Sequence, residues 1–213
     1  MEYQPLKYIY LPTHMPEAHT LLLLHAAGGD ECSLLPLANE FGQRLNVLSV
    51  RGNVLEGDMY RFYRSMGMGM FDEKDLEFRT HELVYFLKNL SNKEAFDVEK
   101  IIALGYSNGA NIAGGILMLY PDFLSGAILL RPMQTMLEKL DFKSSRQQPV
   151  FFSSGEEDST VDSQATDRYG QLLTVNGFLV SRLNLQVGYQ LTGHDIKLAV
   201  KWYQSRFDRV FKI

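Results

Sequence analysis

The sequence predicts an α/β fold in which a mostly parallel central sheet is covered by helices on both faces. Short, continuously apolar runs alternate with longer segments whose apolar residues recur at helical spacing. The segments rich in glycine or polar residues follow the ends of the apolar runs, where ligands of such sheets bind. Because the 213 residues contain no internal repeat, low-complexity tract or linker, we expect one domain over residues 1–213.

Seven apolar runs are predicted as strands, and the first two of them are predicted to form an antiparallel pair. The strands are expected at residues 7–11, 20–24, 46–50, 101–104, 126–130, 149–153 and 178–183. Apolar residues at helical spacing predict a helix that buries Leu34, Leu37, Ala38, Phe41 and Leu45. Further helices are expected at 72–91, from Ser107 to about 120, at 163–176 and at 195–211.

Composition excludes several classes of protein. A net charge of −4 argues against a nucleic-acid partner. The first residues lack the basic and apolar regions of a secretory signal, and no apolar run is long enough to span a bilayer. The single cysteine, Cys32, excludes an intrachain disulfide and fits a reducing compartment, so we expect a cytoplasmic protein.

A match to the motif G-x-S-x-G marks the candidate nucleophile. The motif reads Gly105-Tyr106-Ser107-Asn108-Gly109 and lies between an apolar run and a stretch of small and apolar residues. A strand–turn–helix context places the serine on a sharp turn that leaves no room for side chains at the two flanking glycines. We therefore predict Ser107 as the nucleophile and the N–H of Asn108 as a donor to the developing oxyanion.

A serine nucleophile needs a base, and the base needs a carboxylate that fixes its tautomer. In folds of this type the chain order is serine, acid, histidine. His194 is the only histidine after Ser107 and follows the last predicted strand, so we predict it as the base. The acid is expected in the loop after residues 149–153, where Asp158 has the preferred spacing. The alternatives that stay open are Glu156, Glu157 and Asp162.

Two further segments are predicted to shape the substrate site. The loop at residues 25–30 is the natural source of a second oxyanion N–H, from Ala27. Residues 51–71 lack clean periodicity and are rich in methionine and aromatic residues, which make an adaptable apolar wall. The predicted pocket residues are Phe62, Tyr63, Met66, Met68 and Met133. No insertion is large enough for a lid domain, so we expect an open, shallow pocket.

Several motifs together resemble a known family. They are HAAGGDE, RGNVLEG followed by RFYRS, FDEKDL, GYSNGANIA, GEEDSTV and GH. This set is similar to the phospholipase/carboxylesterase branch of the α/β-hydrolases, which includes the acyl-protein thioesterases. GYSNGANIA is closest to a bacterial subgroup linked to hydroquinone and quinone resistance, often labelled as dienelactone-hydrolase-like. The resemblance covers residues 21–207, although dienelactone hydrolases proper use cysteine where this chain has Ser107.

The resemblance implies an α/β-hydrolase fold with minimal or no lid domain and a serine carboxylesterase that hydrolyses small to medium acyl or aryl esters. It assigns Ser107, Asp158 and His194 to the catalytic triad, and Ala27 and Asn108 to the oxyanion hole. It implies no metal or organic cofactor and a small-molecule ester as the partner; a homodimer stays open. The alternatives are an acyl-protein thioesterase or lysophospholipase, and a non-catalytic ligand-binding protein of the same fold.

Overall fold

Eleven strands and five α-helices make up the computed structural model, which describes residues 3–67 and 70–208. The strands are β1 (Tyr8–Leu11), β2 (Thr20–Leu24), β3 (Asn46–Val50), β4 (Val54–Glu56), β5 (Met59–Arg61), β6 (Ser65–Gly67), β7 (Met70–Phe71), β8 (Ile101–Tyr106), β9 (Gly126–Leu130), β10 (Pro149–Gly155) and β11 (Leu179–Leu185). The α-helices are α1 (Leu35–Ala38), α2 (Glu73–Glu94), α3 (Asn108–Leu119), α4 (Ser163–Val175) and α5 (Gly193–Phe207).

Seven strands form one sheet in the order β1-β3-β2-β8-β9-β10-β11. All neighbours pair in parallel except β1, which runs antiparallel to β3. The predicted pairing of β1 with β2 is therefore wrong, because β3 lies between them. β2 and β3 are buried along their whole length and need a neighbour on both sides, whereas the partly exposed β1 takes the edge.

The sheet is covered on both faces, as predicted for a mostly parallel sheet. Because side chains alternate along a strand, Leu22 and Leu24 of β2 pack into one core with α2, α3 and α4. Leu21 and Leu23 pack into a second core with α1 and α5. β2, β8, β10 and β11 run parallel and so end at the same carboxyl edge of the sheet, the edge at which ligands of such sheets bind.

Three segments differ from their predicted form. The helix expected to bury Leu34 to Leu45 is only α1 followed by a single 3₁₀ turn, Asn39–Phe41. The segment 51–71, predicted to lack clean periodicity, contains two short antiparallel strand pairs among its described residues, β4 with β5 and β6 with β7. The closing helix begins earlier than predicted, at Gly193, and the last residues of its predicted range lie outside the described residues. In the part of the chain that the structure describes, no helix combines the length and apolarity needed to cross a membrane.

The cap of α2 gives a test of local stability. The Asp72 side chain accepts a hydrogen bond from the Asp75 N–H at 3.0 Å and so satisfies a donor that the helix leaves free. We expect Asp72→Ala to lower the free energy of unfolding by about 1 kcal/mol, measured by urea denaturation. The exposed Lys74→Ala should change it by less than about 0.5 kcal/mol, and equal effects of the two variants would contradict the capping role.

Candidate functional site

The G-x-S-x-G segment folds as the sharp turn that the motif predicts. Ser107 lies between β8 and α3 with φ 54° and ψ −113°, a sparsely populated conformation for a residue with a side chain. A Cβ atom on Gly105 would lie 2.3 Å from the carbonyl oxygen of Gly109, and one on Gly109 would lie 1.9 Å from that of Leu24. Both glycines are therefore required for the close approach of α3 to β8 and β2.

Both predicted oxyanion donors lie beside Ser107. Ala27, Asn108 and Ser107 line one cavity of about 460 Å³. Asn108 is the first residue of α3, where a backbone N–H has no acceptor within its own helix. The Asn108 side chain accepts a hydrogen bond from the Phe62 N–H at 2.8 Å. The loop of Ala27 is held by Gly28, whose N–H donates to the Tyr60 carbonyl at 2.9 Å.

His25, next to this loop, has a structural role. It is 1% exposed, its Nδ1 lies 2.7 Å from the Ala26 carbonyl oxygen, and its Nε2 accepts a hydrogen bond from the Gly52 N–H at 3.0 Å. Burial lowers the pKa of His25, so the neutral imidazole that these bonds require is favoured. The ring thereby fastens the end of β2 to the segment that follows β3.

The side chain that contacts Ser107 is that of Tyr189, in the loop between β11 and α5. The Tyr189 hydroxyl is hydrogen-bonded to the Ser107 Oγ, and Tyr189 lines the same cavity as Ala27 and Asn108. Burial raises the pKa of the Tyr189 phenol above its ordinary value. The Asp158 carboxylate adds to the rise, whereas the hydrogen bond to Ser107 and the Arg131 charge oppose it. The phenol is therefore neutral at neutral pH.

Hydrogen bonds to three successive backbone carbonyl groups fix the loop around Tyr189. The Arg131 guanidinium donates to the carbonyls of Gly188 and Gln190 at 3.2 and 3.3 Å. The Tyr106 hydroxyl donates to the carbonyl of Tyr189 itself at 3.4 Å. Arg131 also forms a two-pronged ion pair with Asp195, at 2.8 and 3.1 Å, and both side chains are fully buried. Arg131 thus joins the Tyr189 loop to the buried Asp195.

The structure does not bring His194 to Ser107. His194 is exposed in the first turn of α5, and no hydrogen bond joins it to Ser107 or Asp158 within the described residues. Thr192 and Asp195 form a capping box at this helix start, and Asp195 faces inward to Arg131. Since neighbouring helical residues point about 100° apart, the inward direction of Asp195 turns His194 toward solvent. The side chain hydrogen-bonded to the Ser107 Oγ in the structure is that of Tyr189, and the Ser107–His194 pair stays a prediction.

Of the four candidate acids, Asp158 is the one whose charge acts on Tyr189 and on Tyr106. Its Oδ1 accepts hydrogen bonds from the N–H groups of Thr160 and Val161, at 2.7 and 3.0 Å, which orient the carboxylate. The other three candidates are placed differently. Glu156 and Glu157 are exposed, and Asp162 caps α4. The Glu157 N–H donates to the Val187 carbonyl at 3.1 Å, which joins the acidic loop to the Tyr189 loop.

The predicted pocket residues separate into three groups. Tyr63 and Met133 line the cavity at Ser107, and Met66 and Met133 line an adjoining cavity of about 670 Å³. Phe62 is 3% exposed and packs on the His25 ring at 4.7 Å, so it belongs to the core rather than to the pocket. Met68 lies outside the described residues. Over residues 3–67 and 70–208, no cluster of three or more His, Cys, Asp or Glu side chains is arranged to hold a metal ion.

Sequence reasoning missed three residues of the site: Tyr189, Arg131 and Asn111. Asn111, one turn into α3, donates to the Tyr63 hydroxyl at 2.9 Å and accepts from the Met133 N–H at 2.8 Å, so it joins two cavity walls. The missed signal was Thr192-x-x-Asp195, a helix-start pattern that places His194 on the helix. The loop before this helix start contains Gly188 and Tyr189, a glycine followed by an aromatic residue.

Comparisons with known proteins agree with this architecture. No protein-family model matches the chain. The Bacillus subtilis (strain 168) protein named "Putative hydrolase MhqD" is 38% identical over 187 residues, which cover 88% of this chain and 93% of that protein. The crystal structure of a Bacillus cereus carboxylesterase superposes with a TM-score of 0.92 at 39% identity, covering 95% of both chains. A structure of YahD with malic acid superposes with a TM-score of 0.85 at 29% identity, covering 94% of this chain and 98% of YahD. These relatives support an esterase function, and the chain belongs to the phospholipase/carboxylesterase branch of the α/β-hydrolases.

Proposed function

We propose that this protein is a serine carboxylic ester hydrolase in which Ser107 attacks the carbonyl carbon of the substrate. The observation that carries this proposal is the strained backbone of Ser107, φ 54°, which presents its Oγ to a cavity also lined by Ala27 and Asn108. Strain of about 1–3 kcal/mol persists at a residue only where the surroundings impose it, and such residues cluster at functional sites. Here the two crowded glycines of the turn impose it.

In the proposed reaction, the N–H groups of Ala27 and Asn108 stabilise the tetrahedral oxyanion. Donors that are already oriented in a partly buried site need no rearrangement as the charge develops, so their contribution to the rate is large. Departure of the alcohol leaves an acyl group on Ser107, and water then releases it as a carboxylate. Asp158 contributes a fixed negative charge beside Tyr189.

We propose small to medium acyl or aryl esters as the substrates of this cavity. The 460 Å³ cavity at Ser107 and the adjoining 670 Å³ cavity share Phe71, Met133 and Thr160, so a substrate can extend from one into the other. The second cavity adds Met66, Met70 and Leu137 to its wall. Methionine side chains adapt to differently shaped apolar groups, which suits a range of acyl or aryl substituents.

The test is hydrolysis of p-nitrophenyl esters from acetate to palmitate. We expect short and medium chains to be cleaved, and Ser107→Ala to lower the rate by at least about a hundredfold. The control is Ser163→Ala, at the exposed start of α4, which should keep the wild-type rate. A preference for palmitate would favour a thioesterase or lysophospholipase instead. An unchanged rate in Ser107→Ala would contradict the proposal.

One observation favours a second candidate, a ligand-binding protein without turnover. The Ser107 Oγ is hydrogen-bonded to the phenol of Tyr189. Among the described residues it is hydrogen-bonded to no imidazole, which is the usual base of a serine hydrolase. For this candidate we expect short acyl compounds to bind to the protein, measured by calorimetry, while no acyl group appears on Ser107. An acyl adduct on Ser107 in the intact mass would exclude it.

A further inference from the structure

We propose that the Arg61 guanidinium binds a carboxylate of the substrate, so that the enzyme prefers esters carrying a free carboxylate over neutral esters of the same size. This inference rests on the proposed function, because it assumes that Ser107 attacks an ester bound in the cavity beside it. Its starting point is the distribution of charge around that cavity. Of the described residues that line the cavity at Ser107, Arg61 alone carries a formal charge.

The pairing of β4 with β5 holds the Arg61 side chain at the cavity wall. Arg61 is the last residue of β5, and its Nε lies 2.9 Å from the Oε2 of Glu56, the last residue of β4. Glu56 is oriented in turn by the Ser65 N–H, which donates to its Oε1 at 2.9 Å. Glu56 is not among the lining residues, so the cavity wall contains only the positive member of this ion pair.

The N–H donors of Arg61 are available for a ligand. The Nε atom is buried and contacts Glu56 as an ion pair without the alignment of a hydrogen bond. Among the described residues, the two terminal nitrogens, which carry four of the five N–H groups, have no hydrogen-bond acceptor either. Only 20% of the side chain is exposed, so much of the hydration of this cation is lost. An anion in the cavity would supply the missing acceptors.

The charge of Arg61 acts inside the cavity and not only at its rim. Burial raises the pKa of the Tyr63 phenol, whereas the hydrogen bond from Asn111 and the nearby Arg61 charge oppose the rise. Asn111 donates to the Tyr63 hydroxyl at 2.9 Å and lies one turn after Ser107 on α3. A group bound at Arg61 would therefore share one cavity with the carbonyl that Ser107 attacks.

A carboxylate fits these donors better than a phosphate does. The two terminal nitrogens of a guanidinium form a planar fork that binds both oxygens of one carboxylate. Glu56 offsets part of the charge of Arg61, and the described residues that line this cavity include no second cation, so a monoanion is matched better than a dianion. Because the cavity adjoins a second one, the carboxylate can belong to the acyl part or to the alcohol part of the ester.

The experiment compares carboxylate esters with carboxamide esters of nearly the same size. The mono-p-nitrophenyl ester of adipic acid and its terminal amide place the group in the acyl part, and 4-acetoxybenzoate and 4-acetoxybenzamide place it in the alcohol part. Each kcat/KM is divided by the spontaneous hydrolysis rate, which removes differences in intrinsic reactivity. For at least one pair, wild type should favour the carboxylate by about ten- to a hundredfold, the range for hydrogen bonds to a charged group. Added salt should reduce this ratio.

Three variants assign the preference to Arg61. Arg61→Gln removes the charge, so the ratio should fall to about one, while kcat/KM for the amide ester stays within about threefold of wild type. Arg61→Lys keeps the charge and loses the planar fork, so its ratio should fall at least about threefold and stay above that of Arg61→Gln. The control is Arg64→Gln, which removes an exposed arginine from the same segment and should keep the wild-type ratio.

The contrary outcomes separate this inference from the proposed function. Equal corrected rates for both members of both pairs in wild type would overturn the inference and leave the esterase intact. An equal loss for carboxylate and amide esters in Arg61→Gln would show that Arg61 only supports the fold through Glu56. If Arg61→Gln does not fold, an unchanged ratio in Arg61→Lys would overturn the two-pronged contact. Absence of Ser107-dependent cleavage of all four esters would contradict the proposed function itself.

Discussion

Arg131→Met is expected to lower the free energy of unfolding by about 3–5 kcal/mol, because it leaves the carboxylate of Asp195 buried without its charged partner. Both side chains are fully buried, and Arg131 also donates to the Ser153 hydroxyl at 2.6 Å. Methionine keeps much of the volume and none of the charge, so the loss reports on the ion pair rather than on a cavity. The same change frees the carbonyls of Gly188 and Gln190, so Tyr189 should lose its fixed position on Ser107.

The matched control is Arg168→Met. Arg168 is 63% exposed in its side chain and lies 3.6 Å from Asp162, a surface pair for which we expect a change of less than about 1 kcal/mol. Urea denaturation measures both variants, and hydrolysis of p-nitrophenyl butyrate reports on the site at Ser107. If both variants unfolded at the same urea concentration, the ion pair between Arg131 and Asp195 could not be what stabilises the fold.

The pH dependence of stability gives a second readout of the same pair. Burial by itself would raise the pKa of Asp195, but hydrogen bonds from Arg131, Ser153 and Thr192 outweigh it and hold this pKa below its ordinary value. A carboxyl whose pKa is lower in the folded state stabilises the fold above its unfolded-state pKa, about 3.9, and loses this contribution as pH falls through the folded-state pKa. In Arg131→Met, burial without the arginine raises this pKa instead, so the stability gap between wild type and variant should begin to narrow above about pH 4 and go on narrowing as the pH falls.

β2, β3 and β9 were predictable because they are buried along their whole length. Thr20–Leu24, Asn46–Val50 and Gly126–Leu130 were predicted with the bounds that the structure has. A continuously apolar run is a local signal, and parallel strands produce it. The partner of β1 was not predictable in this way, because pairing depends on which neighbour is left at the sheet edge and not on the sequence of β1.

The nucleophile turn was also predictable, since its requirements are local. Gly105 and Gly109 must lack side chains for β8 and α3 to meet, and the serine between them follows from that geometry. The residue hydrogen-bonded to Ser107, Tyr189, was harder to predict, because it lies in a loop 82 residues away along the chain. The prediction chose His194 by residue type and chain order, whereas its side-chain direction depends on the buried partners of Asp195.

The burial of Arg131 could not be predicted from the local sequence either. It follows β9 with φ 54° and is 1% exposed, although arginine is among the residues least often buried. Its position is explained only by its distant partners: Asp195 on α5, Ser153 on β10 and the carbonyls beside Tyr189. No local pattern in the sequence contains this information.

Gly109→Ala should lower the free energy of unfolding by at least about 3 kcal/mol, because the added methyl group cannot be accommodated without moving backbone. Its Cβ would lie 1.9 Å from the carbonyl oxygen of Leu24, 2.4 Å from the carbonyl carbon and 2.7 Å from the carbonyl oxygen of His25. These atoms belong to β2 and to the start of the oxyanion loop, so α3 must shift away from β2. We expect loss of the acyl adduct on Ser107 together with the loss of stability.

Gly193→Ala is the matched control for this substitution. A Cβ on Gly193, in the first turn of α5, would have no heavy atom within 4 Å, and alanine is favoured over glycine in helices by up to about 1 kcal/mol. Gly193→Ala should therefore equal or exceed wild type in stability and keep the acyl adduct on Ser107. The comparison separates the contact at the turn from a general effect of removing a glycine, since both positions lie in the first turn of a helix. If Gly109→Ala unfolded at the wild-type urea concentration, the close packing of α3 on β2 could not be what holds Ser107 in its strained conformation.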